Sequence, residues 1–269
     1  MRTLLLRLWV LCVGIYGMGY AQPSTAALQL EVITLEAPQL ATSKTIRIYI
    51  PKNYTQTTRR YPVLYMPDGQ NLFDTKTAYA GEWGIDEIMD QQKNPAIVVG
   101  IDHGGDKRIE ELTPFPHAKY GGGKGDAFLA FIVETLKPYM DNHYRTKPEA
   151  KHTAIFGSSL GGFMAFYASI KYPNIFGKVG CFSPAFWINR EPLIQLLEKT
   201  THYKARIYLM CGDQEGDDDM VKDLKAIEFW INSRRCSCKK MNVSAIIEGG
   251  QHNEKLWREQ FEKAYLWLF

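Results

Sequence analysis

The 269-residue sequence has only five cysteines, a formal net charge of only +3, and no internal repeat or low-complexity stretch. So small a charge gives the chain no reason to bind nucleic acid or an anionic membrane. The lack of repeats and of a recognisable linker argues against a repeat architecture or several domains. Hydrophobic residues make up 45% of the chain and charged residues 23%, which is the composition of an ordinary globular protein. The length suits one α/β domain.

The first 21 residues have the pattern of a secretory signal peptide. Two arginines accompany the apolar stretch Leu8–Ile15, and Gly19-Tyr20-Ala21 places small residues where signal peptidase reads them. The apolar run is too short to span a bilayer comfortably, and Leu11 stands where a lipoprotein signal requires a small residue. We therefore expect cleavage after Ala21, a periplasmic or secreted protein without membrane attachment, and a single domain over 22–269. Loss of the two arginines leaves 30 basic and 29 acidic groups, a charge of +1.

Four cysteines remain after such cleavage, namely Cys181, Cys211, Cys236 and Cys238. An even number in an exported chain permits disulfides. Yet the last two are two positions apart, and the first two fall within apolar runs predicted as strands, so buried free thiols are equally consistent with the pattern. The neighbouring sequence supplies no histidine for a metal site. No metal and no cofactor are expected.

Apolar runs of strand length alternate with segments of helical period. Leu28–Leu35 and Thr45–Pro51 alternate polar with apolar residues and predict an antiparallel opening pair. Near-continuous apolar runs, typical of parallel strands buried on both faces, are Pro62–Met66, Ala96–Ile101, Thr153–Phe156, Val179–Phe182, Arg206–Cys211 and Val243–Ile247. The predicted helices are Asp86–Met89, Ala127–Tyr139 with Asp126 as N-cap, Leu160–Tyr172, Met220–Asn232 and Glu254–Leu268. The order predicts an α/β fold with helices on both faces of a mainly parallel sheet, and ligands collect beyond the carboxyl ends of such strands.

The motif Gly157-Ser158-Ser159-Leu160-Gly161 lies between a predicted strand and a predicted helix. This is the context that the G-x-S-x-G nucleophile elbow requires, because the sharp turn leaves no room for side chains on either flank. A tight glycine turn without chemistry is the alternative interpretation. We predict Ser159 to be a nucleophile.

A serine nucleophile needs a base and an orienting acid, which follow it in the chain order Ser, acid, His. Of the six histidines, His252 lies directly after the last predicted strand, where this order places the base. The acid should follow the strand Arg206–Cys211, and there the spacing alone leaves Asp213 and Glu215 as nearly equal candidates. The oxyanion donors should be the backbone N–H groups of Leu160 and of Gln70, in the loop after the third strand.

At these residues the chain resembles the putative esterase family of α/β-hydrolases, which includes S-formylglutathione hydrolase, siderophore esterases, and feruloyl and acetyl-xylan esterases. The resemblance covers about 45–269. It rests on the motifs Tyr65–Asp74, Gly81–Gly84, Val98–Asp102, Gly157–Gly162, Phe182–Pro184 and Glu248–Glu254. It implies the α/β-hydrolase fold, Ser159 and His252 as catalytic residues, and Leu160 and Gln70 as oxyanion donors.

The same resemblance places the acid on Glu215 rather than on Asp213, although many relatives have aspartate there. The substrate class does not carry over. Trp83, His103, Phe186 and Trp187, together with Phe115, lie in loops on the predicted pocket side. They are expected to line the pocket for an aryl or sugar group, but packing is the commoner role of aromatic residues.

The expected function is that of an exported serine carboxylic-ester hydrolase. Its substrate would be a small molecule or a polysaccharide-linked ester, with carbohydrate-linked acetyl or feruloyl esters favoured by export. A siderophore trilactone is the alternative ester, and acyl transfer to an acceptor uses the same triad. A non-catalytic glycan- or siderophore-binding protein on the same scaffold is the alternative of another class. The sequence leaves the oligomeric state open.

Overall fold

A computed structural model of the protein describes residues 23–216, 219–234 and 241–269. Within these residues eight strands form one sheet in the order β1-β2-β4-β3-β7-β8-β9-β10, and a separate two-residue pair forms a small hairpin, β5-β6. The strands are β1 Leu30–Ala37, β2 Thr42–Tyr49, β3 Val63–Pro67, β4 Ile97–Ile101, β5 Pro116–His117, β6 Gly121–Gly122, β7 Thr153–Ser158, β8 Lys178–Phe182, β9 Arg206–Gly212 and β10 Asn242–Ile247. The predicted signal peptide, Cys236 and Cys238 lie outside the described residues.

The first two strands of the sheet run antiparallel to their neighbours. Strand β1 pairs with β2, and β2 pairs with β4, both antiparallel, whereas the pairs from β4 through β3, β7, β8 and β9 to β10 are all parallel. The predicted mainly parallel sheet with an antiparallel N-terminal pair is therefore confirmed. All eight predicted strands are present, with ends shifted by at most three residues.

Helices connect the parallel strands. They are α1 Ile85–Asp90, α2 Arg108–Glu111, α3 Gly125–Ala130, α4 Lys137–His143, α5 Leu160–Lys171, α6 Arg190–Lys199, α7 Met220–Ser233 and α8 Glu254–Leu268, with a π-helical segment Phe131–Leu136 joining α3 to α4. Helices α2 and α6 were not predicted: α2 has only four residues, and α6 buries Leu193 and Leu197 at helical spacing within a charged sequence. The prediction of Asp126 as an N-cap is wrong, because Asp126 lies in the first turn of α3 and its carboxylate accepts a hydrogen bond from Tyr167 at 2.8 Å.

The sheet has a hydrophobic core on each face. Successive residues of a strand point to opposite sides, so Val99 belongs to the core under α5 and α7, and Val98 to the core under α1 and α8. Helices therefore cover both faces, as predicted. Within the described residues no helix is both long and apolar enough to cross a membrane.

The parallel strands end at one edge of the sheet, and the loops after β3, β7, β8, β9 and β10 meet there. Cys181 in β8 and Cys211 in β9 are buried free thiols beneath this edge. Burial raises the pKa of the Cys211 thiol to about 12, with a further contribution from Glu215. These two cysteines therefore contribute packing rather than a disulfide.

Candidate active site

The turn between β7 and α5 holds Ser159 in a backbone conformation that L-residues rarely adopt, with φ 54° and ψ −122°. Such conformations cost about 1–3 kcal/mol and persist only where the surroundings enforce them. The turn also requires glycine beside the serine, because a Cβ on Gly157 would lie 2.4 Å from the carbonyl carbon of Gly161. The backbone N–H of Ser159 donates to the carbonyl of Phe182 at 2.9 Å, which ties the turn to the end of β8. The sequence-predicted elbow is thus present at the carboxyl edge of the sheet.

His252 lies in the loop between β10 and α8, and its ring contacts a buried carboxylate. Its Nδ1 is 2.9 Å from Oε2 of Glu215, whose side chain is 0% exposed. A carboxylate at Nδ1 fixes the imidazole so that Nε2 is free to accept a proton. Ser159 and His252 line the same cleft. No hydrogen bond joins the Ser159 hydroxyl to the imidazole in the part of the chain that the structure describes, and such bonds commonly tighten only when substrate is bound.

Glu215 is held by the end of the preceding strand, β9, and by the turn after β8. Its Oε1 accepts hydrogen bonds from the backbone N–H of Gly212 and, at 2.6 Å, from the hydroxyl of Ser183. The Ser183 hydroxyl in turn accepts from Nε1 of Trp257 at 2.8 Å. The Trp257 ring also lies edge-on to the imidazole of His252, with 5.0 Å between centroids. Both oxygens of the carboxylate are therefore occupied, one by these donors and the other by His252.

Asp213, the alternative acid, is placed elsewhere. Its side chain accepts a hydrogen bond from the backbone N–H of Gly249 at 2.8 Å, and the residue is exposed. It thus connects the loop after β9 to the turn after β10 instead of contacting His252. Of the two candidates that the spacing left open, Glu215 is the one that the structure brings to the imidazole.

Two backbone N–H groups lie at the turns that flank the proposed nucleophile. Leu160 is the first residue of α5, where helix N–H groups have no intrahelical partner. Gln70 follows β3 in a turn that needs a glycine, because a Cβ on Gly69 would lie 2.6 Å from the backbone of Gly100 and Ile101. Across the described residues, neither Leu160 N–H nor Gln70 N–H has an acceptor. Both are thus available to a negatively charged oxygen.

The cleft at this edge has a volume of about 590 Å³. Four charged side chains line it besides Ser159 and His252. Three are carboxylates, Asp68, Asp106 and Glu254, and one is the guanidinium of Arg108. Arg108 pairs with Asp68 through two hydrogen bonds of 2.7 and 2.8 Å. Burial alone would lower the pKa of Arg108, but Asp68 holds it above its usual value, so the guanidinium stays charged. The cleft wall therefore carries a net negative charge.

Of the four side chains expected to line the pocket, the structure places His103 on the cleft wall. The expectation needs correction for the other three. Trp83 is 2% exposed and packs edge-on against Phe182 in the core, and Phe186 is equally buried against α5. Trp187 is 41% exposed, but it contacts Tyr120 and does not line the described cleft. Tight packing explains Trp83, whose indole is enclosed in the core, whereas the Phe186 ring borders a separate groove between α6 and α7.

Sequence reasoning missed three residues of this site. Tyr79 lines the cleft with 91% of its surface exposed, yet its loop has no periodicity to mark it. Trp257 lies on the first turns of α8, where its apolar character predicts only packing. Ser183 belongs to the quoted motif Phe182-Ser183-Pro184, so a signal existed, but nothing in the sequence connects it to Glu215.

A family model described as "Putative esterase" matches residues 37–268. YbbA of Bacillus subtilis is 26% identical over 242 residues, covering 85% of this chain and 94% of that protein. An endo-1,4-beta-xylanase/feruloyl esterase of Xylanibacter ruminicola is 24% identical, over 89% of this chain and 31% of that protein. The ferri-bacillibactin esterase BesA of Bacillus subtilis is 29% identical, over 60% of each chain.

Solved structures share the fold. The crystal structure of BES protein from Bacillus cereus superimposes with a TM-score of 0.74 at 19% identity, covering 99% of each chain. At that identity the likeness concerns the fold alone. The described sheet and helices are those of the α/β-hydrolase esterases.

Proposed function

The chain belongs to the putative esterase family and is a carboxylic ester hydrolase, and we propose that it is a serine esterase acting through Ser159, His252 and Glu215. The observation that carries the proposal is the 2.9 Å contact between His252 Nδ1 and the buried Glu215, with Ser159 on the same cleft. A nucleophile on a strained turn, an oriented imidazole and a buried acid are the parts of an acyl-transfer triad.

The proposed reaction has two halves. In the first, the Ser159 oxygen attacks the ester carbonyl while Nε2 of His252 takes the hydroxyl proton, and the negative oxygen that forms is stabilised by the N–H groups of Leu160 and Gln70. The intermediate then breaks its carbon–oxygen bond to the alcohol, which leaves with the proton from His252. In the second half, His252 removes a proton from water, the resulting hydroxide attacks the acyl-enzyme, and the acid product leaves as the proton returns to Ser159. Glu215 stabilises the imidazolium in both halves.

We propose carbohydrate-linked acetyl or feruloyl esters as the substrate. One relative is named as a feruloyl esterase, and the exposed Tyr79 at the cleft offers an aromatic face to an aryl or sugar ring. The excess of carboxylates on the cleft wall disfavours a polyanionic ligand such as a ferric catecholate complex. A siderophore trilactone is the second candidate, because other relatives are named as siderophore esterases.

Fluorophosphonate labelling tests the nucleophile, and a substrate panel tests the class of ester. We expect a fluorophosphonate adduct on Ser159, retained in Ser158→Ala and lost in Ser159→Ala. We also expect release of ferulate or acetate from decorated xylan to exceed hydrolysis of a catecholate trilactone. Turnover of the trilactone alone would overturn the carbohydrate assignment, and ligand binding without any adduct would favour a non-catalytic protein. Product analysis with an added sugar acceptor separates hydrolysis from acyl transfer.

Export is also part of the proposal. It rests on the leader pattern of Met1–Ala21, which lies outside the described residues. Expression of the full chain in a bacterial host with intact-mass measurement of the exported protein tests it. A mature chain beginning at Gln22 is the expected result, and a cytoplasmic protein that retains Met1 would contradict export.

A further inference from the structure

Three carboxylates converge at the start of α1, on a part of the chain that the proposed ester chemistry does not use. Glu82 precedes the helix, and Asp86 and Glu87 lie in its first turn. One carboxylate oxygen from each of the three lies within 4.8 Å of the others. Like charges this close repel one another, so the cluster requires a compensating group.

Two of the three carboxylates are buried and only half satisfied. Glu82 is 8% exposed and Asp86 0% exposed. One oxygen of each accepts a hydrogen bond from the segment before β1. Asp86 Oδ2 accepts from the backbone N–H of Ala27, and Glu82 Oε2 accepts from the hydroxyl of Thr25, both at 2.7 Å. The other oxygens, Glu82 Oε1 and Asp86 Oδ1, are buried without a hydrogen-bond partner in the described chain. Buried carboxylate oxygens without a donor or a cation are costly, so these two indicate a missing ligand.

The described chain offers these carboxylates no direct ion pair. None of the three forms an ion pair within residues 23–216, 219–234 and 241–269. Arg258 is the nearby guanidinium, but it donates to the backbone carbonyl of Glu82. A divalent cation would supply the charge and would satisfy both free oxygens.

We propose that Glu82, Asp86 and Glu87 bind a calcium ion. An all-oxygen carboxylate set selects a hard cation. Ca²⁺ accepts six to eight oxygen ligands in flexible geometry, so waters on the exposed side of Glu87 can complete its shell. Mg²⁺ demands a near-ideal octahedron and loses water reluctantly, which suits two buried carboxylates on an irregular turn less well.

The ion would have a structural role. Two of its ligands already hold Thr25 and Ala27, so the bound cation would tie the segment before β1 to α1. Next to Glu82, the ring of Trp83 packs 5.9 Å from that of Trp257, so the site also lies close to α8. No step of the ester chemistry involves the ion, and failure of the metal site would leave the proposed triad untouched.

Terbium luminescence and thermal unfolding of the full chain, after treatment with chelator, test the proposal. Tb³⁺ replaces Ca²⁺ at oxygen sites, and the neighbouring indole of Trp83 would sensitise its emission. We expect a saturable emission that Ca²⁺ reverses at lower concentration than Mg²⁺. Ca²⁺ at about one hundred times its Kd should raise Tm by about 5–10 °C. Absence of both effects would overturn the site, and reversal by Mg²⁺ at the lower concentration would overturn the choice of calcium.

Substitutions of the proposed ligands test whether the ion binds at these carboxylates. Asp86→Asn keeps the shape of the buried ligand and removes its charge, whereas Glu87→Gln alters the exposed ligand and carries little risk to folding. Both should abolish the emission and the Tm shift. Glu36→Gln removes one exposed carboxylate from β1 that has no ion pair in the described chain, and it should leave both responses unchanged. Full emission in Glu87→Gln would show that the ion binds elsewhere.

Discussion

Two serines follow adjacent parallel strands in the same kind of strained backbone. Ser159 follows β7 with φ 54°, and Ser183 follows β8 with φ 45°. Their turns are joined, since Ala185 N–H donates to the Ser159 carbonyl at 3.0 Å. The hydroxyls differ: that of Ser183 is fully buried between Glu215 and Trp257, whereas that of Ser159 lines the cleft and has no hydrogen bond in the described structure. Backbone strain is thus common to both serines at the edge where the site is assembled. Their hydroxyls differ in their partners, which distinguishes the proposed nucleophile, Ser159, from Ser183, which holds Glu215 in place.

Removal of the cleft-lining hydroxyl should have the largest effect. Ser159→Ala is expected to lower kcat for an aryl acetate by about 10⁴–10⁶-fold, because the attacking atom is gone. Its Tm should stay within 1–2 °C of the wild type, since the hydroxyl makes no hydrogen bond in the described structure and alanine accepts the same backbone about as well. Initial rates and thermal unfolding measure both quantities. Retained turnover would remove Ser159 from the mechanism, and Ser158→Ala serves as the control that keeps the rate.

The next largest effect should come from replacing Glu215, the acid that Ser183 holds in place. Glu215→Gln is expected to reduce kcat by about 10³–10⁴-fold, because an amide at Nδ1 no longer stabilises the imidazolium or fixes its tautomer. Asp213→Asn, two residues away and bonded to Gly249, should leave kcat within about twofold of the wild type. The ratio of the two rate losses, measured under the same conditions, decides between the acids. Equal losses, or a larger loss in Asp213→Asn, would contradict the assignment.

Loss of the buried hydroxyl should affect both stability and rate. Ser183→Ala leaves Trp257 Nε1 without an acceptor and removes one donor from Glu215, which should cost about 1–3 kcal/mol of stability for each group left unpaired. Because Glu215 keeps its bond from Gly212, we expect kcat to fall by only about 10–100-fold.

Another buried serine separates positioning from general loosening of the fold. Ser169 in α5 donates to the Phe166 carbonyl and bonds the Tyr203 hydroxyl, away from the site. Ser169→Ala should lose comparable stability with kcat unchanged. If Ser183→Ala also leaves kcat unchanged, the serine serves packing alone and does not position the acid.

The difference between the two serines also shows what the sequence can and cannot predict. Ser159 and His252 could be proposed from the sequence because a glycine turn after a buried strand and the loop after the last strand are local patterns with a fixed chain order, and the structure brings both residues to one cleft. The eight strands were found for the same local reason, since runs of apolar residues report burial on both faces. Ser183 was missed because its role depends on Glu215, 32 residues further along the chain.

The choice that spacing left open and the wrong prediction for Trp83 have the same physical origin. Asp213 and Glu215 are indistinguishable by spacing, and the choice is made by the N–H of Gly212 and the hydroxyl of Ser183, which meet only after β8 and β9 pair. Trp83 is an aromatic residue in a loop on the predicted pocket side. Its indole nevertheless packs in the core, because it contacts Trp257 of helix α8, over 170 residues further along the chain. Tertiary contacts therefore decide these roles, and the local sequence does not contain them.

The smallest expected effect compares the two strained backbones directly. Glycine accepts positive φ without strain, so Ser159→Gly should raise stability by about 1 kcal/mol, or about 2–4 °C in Tm, while abolishing turnover. Ser183→Gly gains the same relief but leaves Trp257 Nε1 unpaired and Glu215 with one donor fewer, so its Tm should fall. Differential scanning calorimetry of the two variants measures the sign of each change. Shifts of the same sign would mean that the hydroxyl contacts of Ser183 contribute less than the backbone strain, and the distinction between nucleophile and support would then rest on activity alone.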